Sequence, residues 1–170
     1  MAAAIFDTTR NLSLYSIPAA WVLSIIPHFY AASLGAFDNK SPRSYTKDAA
    51  GDQKLDKSTK DAIIRAEGAQ QNGFENIGLF AAAVVIGNVA KLDNSTLNTL
   101  SGAYLASRVV YNLLYINGTT DFLGKLNKFE QCADLGLIEA ANLRSGTFLT
   151  GIGIIWTLFI KSGNVLRNQL

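Results

Sequence analysis

Arg65, Asn72 and Glu75 are spaced so that, on a helix, they share one stripe with Gly68 and Leu79. That stripe carries a cation, an amide and a carboxylate. Tyr104, Arg108, Tyr111 and Tyr115 repeat the same helical spacing further along, and Arg144 and Ser145 open the last apolar run. The simplest structural reading pairs Glu75 with Arg108 and uses Asn72 as an interhelical hydrogen bond. The three arginines outnumber the one carboxylate, however. A surplus of guanidinium forks suits an anionic ligand with carboxylates of its own, since each fork can hold a carboxylate through two parallel hydrogen bonds.

The elements that must position these groups are apolar. Of 170 residues 49% are hydrophobic and only 16% charged, with mean hydropathy +0.18, which is rich in apolar side chains for a water-soluble domain. A net charge of +2, with the basic residues scattered over loops, gives no footprint for nucleic acid. One cysteine, Cys132, and one histidine, His28, supply neither a disulfide nor a cluster of soft metal ligands, so no metal is expected and Cys132 reads as a plain thiol.

From Asn11 to Phe37 there are 27 residues without Asp, Glu, Lys or Arg, more than the roughly 20 that cross a bilayer. A secretory signal is the rival reading, because small residues follow at Ala31 and Ala32, but the stretch is long and only Arg10 precedes it. Pro18 and Pro27 would kink this helix, which membrane helices tolerate when neighbours satisfy the freed carbonyls. Further spans read at about 61–90, 97–116 and 143–162, the second capped by Ser58 or Thr59. The fold class is therefore all-α, a single integral membrane domain over 1–170 built as a four-helix bundle.

Two long connections, 38–60 and 117–142, separate the spans. The first is a polar, solvated loop with six basic residues; the later part of the second can extend the fourth helix. Eight Lys and Arg in these loops, against Arg10, Lys91, Lys161 and Arg167 on the other side, put the long loops in the cytosol. The sequon Asn94-Ser95-Thr96 then faces the lumen and Asn117-Gly118-Thr119 the cytosol. Charges inside spans cost at least roughly 2.5 kcal/mol each at the bilayer centre, so the polar stripes should face one another, with Glu75 near Arg108. Arg144 is placed at a helix start, where the positive helix end adds to its charge. His28 reads as an interfacial anchor, Trp21 and Trp156 as packing, and Gly151 and Gly153 as points of close helix approach.

The run from Arg65 to Phe80, with Asn72 three residues before Glu75, resembles the second-helix signature of the membrane-associated proteins in eicosanoid and glutathione metabolism, the MAPEG family. Arg108-Val109-Val110-Tyr111-Asn112-Leu113-Leu114-Tyr115 and Leu143-Arg144-Ser145 are similar to that family's third-helix pattern and fourth-helix start. The resemblance implies a homotrimer of the endoplasmic reticulum. It also implies glutathione as co-substrate between subunits near the cytosolic face, and a lipophilic substrate arriving from the membrane lipid. By that resemblance Arg65, Gln70, Asn72, Glu75, Arg108, Tyr111 and Tyr115 contact glutathione, and Arg144 stabilises its thiolate, with Ser145 and Tyr111 as alternative donors.

The implied activity is that of a glutathione transferase or peroxidase acting on a lipophilic electrophile or lipid hydroperoxide. The alternatives are a non-catalytic lipid-binding or partner-presenting member, and an isomerase or cyclase that does not consume glutathione. The chain departs from the pattern at Gly68, where the glutathione-binding members carry an arginine, and in the length of 117–142.

Overall fold

The computed structural model describes residues 9–117 and 133–169, with side chains of the second segment from Leu143 onward. Gly118, Thr119, Lys125, Lys128 and Cys132, and most of the expected second loop, lie outside the described residues. Among the described residues every regular element is helical.

A 3-10 turn, Ser13–Tyr15, leads into α1, Ser16–Ser33. Pro18 falls in its first turn, where a missing N–H breaks no helical bond. Pro27 lies inside and removes the donor that the carbonyl of Leu23 would otherwise have. Asn112 replaces it: its side-chain amide donates to the Leu23 carbonyl at 2.9 Å.

The segment expected as a solvated loop contains α2, Tyr45–Gly51, a correction to the sequence reading. Tyr45 and Ala49 are buried against Ala31, Ile63 and Ala66, with Phe37, Leu34, Leu55 and Ile116 around them. The Tyr45 hydroxyl donates to the carbonyls of Ala31 at 2.5 Å and Gly35 at 2.9 Å, fastening the segment to the end of α1.

Helix α3 runs Lys57–Val89, one turn earlier than expected from Asp61, with Asp56 rather than Ser58 or Thr59 at its N-cap. Hydrogen bonds from Ser58 and Thr59 hold the Asp56 carboxyl below the usual carboxylate range. The 33 residues span about 50 Å at 1.5 Å each, so the polar first turns extend past an apolar second half. The helix stops in a Schellman motif: the N–H of Leu92 donates to Gly87 and that of Lys91 to Asn88, both at 3.0 Å, with Lys91 left-handed at φ 56°. Helix α4, Asn94–Ile116, begins at once, its N-cap Asp93 accepting the Thr96 N–H.

Helix α5 runs Ala133–Arg167 and so begins well before the apolar core that marks it in the sequence. Arg144 therefore sits inside a helix and not at its start, which removes the helix-dipole contribution expected for it.

In the bundle α1 packs on α3 and α4, and α5 packs on α4 and α3, while α1 and α5 do not meet among the described residues. The main core joins all four: Ala20, Phe80, Ala83, Val84, Leu97, Tyr104, Ile155 and Leu158. Phe80 and Tyr104 stack at 3.8 Å between centroids. Large apolar side chains also cover the outside, including Trp21, Phe29, Leu79, Val85, Leu113, Leu149 and Trp156. Trp21 and Trp156, at 51% and 62% exposure, thus face outward; Trp21 makes an edge-to-face contact with the ring of Phe74.

Two segments, Ser13–Ser33 and Leu143–Arg167, are long and apolar enough to cross a membrane. Helices α3 and α4 carry the polar stripes. An apolar exterior around buried polar groups fits insertion in lipid.

Candidate functional site

Arg108 is the most constrained of the polar residues. It is 4% exposed and lies between the rings of Tyr104, Tyr111 and Phe148, with its guanidinium carbon 5.2–5.6 Å from each centroid. Its Nη2 donates to the Phe148 carbonyl at 3.3 Å. Nε and Nη1 are buried with no hydrogen-bond partner among the described residues. The sequence makes room for it at Gly151, where a Cβ would stand 3.0 Å from the Arg108 Cζ and closer still to Nη2. Buried cations and donors without partners cost free energy, so this arrangement has unused capacity for an anion.

Two turns further along α4, Tyr115 meets Arg144 of α5, whose guanidinium carbon lies 4.8 Å from the Tyr115 ring centroid. The two contacts are seven residues apart on both helices, 108 to 115 and 151 to 144, as required where antiparallel helices keep register over about 10 Å of rise. Tyr111 lies between them, its ring 5.4 Å from Tyr115 and 6.2 Å from Phe148. Its hydroxyl is within electrostatic reach of Arg108, Arg144, Glu75 and Tyr115.

Helix α3 supplies the third wall. Gly68 lies against the hydroxyl end of Tyr115. Asn72 and Gln70 are half-buried, and Asn76 donates to the Asn72 carbonyl at 2.8 Å. Glu75 is exposed and accepts from Gln71 at 3.0 Å, so the expected Glu75–Arg108 ion pair is not formed. The physical reason is that Arg108 turns toward α5 and its aromatic cage, while Glu75 points to the outer face of α3.

The structure brings Arg108, Tyr111, Tyr115 and Arg144 into one column with Gly68 beside it and Glu75 nearby. Arg65 is engaged elsewhere: Nε donates to the Ile116 carbonyl at 3.3 Å, closing the end of α4. Ser145 is exposed beside Arg144. Gly151 permits the close approach expected of it, whereas a Cβ at Gly153 would meet open space.

Sequence reasoning missed Phe148, although its place one turn from Arg144 and just short of Gly151 is a helical-face signal. His28, read as an interfacial anchor, also has a partner that the sequence did not show: its Nδ1 lies 2.7 Å from Glu67 Oε1. No group of three metal-ligating side chains occurs among the described residues.

These features define an all-helical, membrane-type protein with a cationic, aromatic column set between its helices. The MAPEG family model matches residues 15–124, which include α1 to α4 whole, and the chain belongs to that family. Membership associates it with membranes and with eicosanoid and glutathione metabolism. Arg144, Phe148 and Gly151 lie beyond the matched residues, so their part in the site rests on the geometry above. No curated protein and no solved structure matches the chain.

Proposed function

We propose that this protein is a glutathione-dependent transferase or peroxidase that acts on a lipophilic electrophile or lipid hydroperoxide drawn from the bilayer. The observation that carries this reading is the buried Arg108 guanidinium, with two nitrogens unpartnered, two turns from Arg144 in one aromatic-lined column. Glutathione offers what that column and its neighbours lack: two carboxylates for the arginines, an ammonium for Glu75, and amides for Asn72 and Gln70. Its thiol, with a free pKa of about 8.5, is mostly protonated at neutral pH, and the Arg144 charge favours the thiolate. In transfer, sulfur bonds to the electrophilic carbon and the leaving group departs. In peroxide reduction, two thiols become a disulfide while the hydroperoxide yields alcohol and water.

The protein's own residues orient and exclude water. Tyr111 and Tyr115 wall the column, and the Phe148 ring covers the Arg108 guanidinium. Arg65 serves this reading by fixing the end of α4, and Ser145 is the least engaged of its residues. All four long helices cross the membrane of the endoplasmic reticulum, with 38–60 and 117–142 on the cytosolic side. Gln71 and Glu75 lie exposed in the middle of α3 beside Leu79. Facing lipid they would be unfavourable, and a homotrimer covers them.

The test is thermal stability in detergent as glutathione is titrated, together with conjugation of a generic lipophilic electrophile. Stabilisation at millimolar glutathione is expected, as is a drop in conjugation on the order of 100-fold for Arg144→Ala. Absence of stabilisation overturns the reading; an unchanged rate in Arg144→Ala removes Arg144 from its role.

A further inference from the structure

Gly68 and Tyr115 do not look like ligands of the same kind as the arginines. A Cβ at Gly68 would stand 3.2 Å from both Cε1 and the hydroxyl oxygen of Tyr115 and 3.5 Å from Cζ, tighter than an ordinary contact with the ring's end. The ring therefore rests on bare backbone of α3. Its face carries the Arg144 guanidinium at 4.8 Å, and its neighbour on the column side is Tyr111. Helix α4 thus hands an aromatic platform from a notch in one helix to a cation on another.

We propose that Gly68 and Tyr115 form a positioning pair for Arg144: the notch at Gly68 seats the Tyr115 ring, and the seated ring fixes where the Arg144 charge stands in the site. The inference rests on the glutathione reading for its functional consequence, though not for its geometry. A guanidinium on a flexible stem has many rotamers, and cation–π contact selects among them. A methyl group at position 68 would make the ring's end give by a few tenths of an ångström, and a longer side chain would push the ring from the notch. An arginine there would also set a second cation beside the first. The ring face, not the hydroxyl, does the positioning.

The experiment compares Gly68→Leu, Tyr115→Leu and Tyr115→Phe in the full-length, detergent-purified protein. The ultraviolet absorbance of the thiolate of bound glutathione is followed against pH, alongside kcat and KM for conjugation. Tyr115→Phe keeps the ring and is expected to recover the thiol titration lost in Tyr115→Leu. Gly68→Leu and Tyr115→Leu should move the bound thiol toward its free behaviour and lower kcat on the order of tenfold, while KM for glutathione changes little. Unchanged titration in both Leu variants overturns the proposal, and so does loss of the signature in Tyr115→Phe.

A second measurement needs no glutathione: a double-mutant cycle on thermal midpoint with Tyr115→Leu and Arg144→Met, in the parent and in Gly68→Leu. Coupling between the two residues that disappears in Gly68→Leu supports the pair. Strict additivity in the parent, or coupling untouched by Gly68→Leu, overturns it. If glutathione does not bind the parent at all, the functional reading fails, and this cycle still decides the positioning.

Discussion

The side-chain amide of Asn112 on α4 donates to the carbonyl of Leu23 on α1, the acceptor that Pro27 leaves without its helical partner. A break in one helix thereby becomes a tie between two. Asn112→Leu is expected to destabilise the protein by about 1–3 kcal/mol by leaving that carbonyl buried and unpaired. Pro27→Ala restores the N–H donor, so the same Asn112 substitution in that background should cost much less. Thermal unfolding of the four proteins in one detergent measures the difference.

Lys91 occupies the left-handed position after α3 at φ 56°, where a side chain is strained and glycine is not. Lys91→Gly should raise stability by roughly 0.5–1 kcal/mol without altering the site, whose α3 residues lie in the first half and middle of that helix. A lowered thermal midpoint would show that the Lys91 side chain contributes more than the backbone strain costs.

Gly151 is the floor beneath Arg108. Gly151→Ala puts a methyl group against the guanidinium and should cost about 1–3 kcal/mol of stability through overpacking. The glycine that meets open space, Gly153, is the control: Gly153→Ala should hold or raise the thermal midpoint, since alanine favours the helix over glycine by roughly 0.5–1 kcal/mol. Equal effects at the two positions would contradict the close approach at Gly151.

Burial, reinforced by the nearby Glu67 charge, raises the Tyr45 hydroxyl above its ordinary value of 10.0. Below that pH the phenol is neutral in both folded and unfolded chains, and its contribution is intact. As pH rises past it the unfolded chain ionises first, so stability falls until the folded phenol also ionises. The segment held by α2 should therefore loosen under alkali, seen as proteolysis between α1 and α3. Tyr45→Phe loses the two hydrogen bonds at every pH and should flatten this alkaline dependence.

The spacing of Arg65, Asn72 and Glu75, the apolar runs and the Tyr104–Tyr115 pattern were enough to indicate an all-helical chain of membrane type. Those properties depend on periodicity and composition, which are local. The resemblance also pointed to Arg144, yet the sequence could not show what surrounds it. A side chain's direction within its stripe depends on which neighbouring helix it meets and at what height. That is why Glu75 and Arg108 share the expected faces but do not pair: Arg108 is drawn into the space at Gly151 and the ring of Phe148, on a helix remote in sequence.

The same limit hid α2, whose seven residues carry too little apolar pattern to stand out before Tyr45 is seen fastened to Ala31 and Gly35. It also hid the link between Gly68 and Tyr115. Glycine records in the sequence only the absence of a side chain, and only the packed bundle decides which ring occupies the space it leaves.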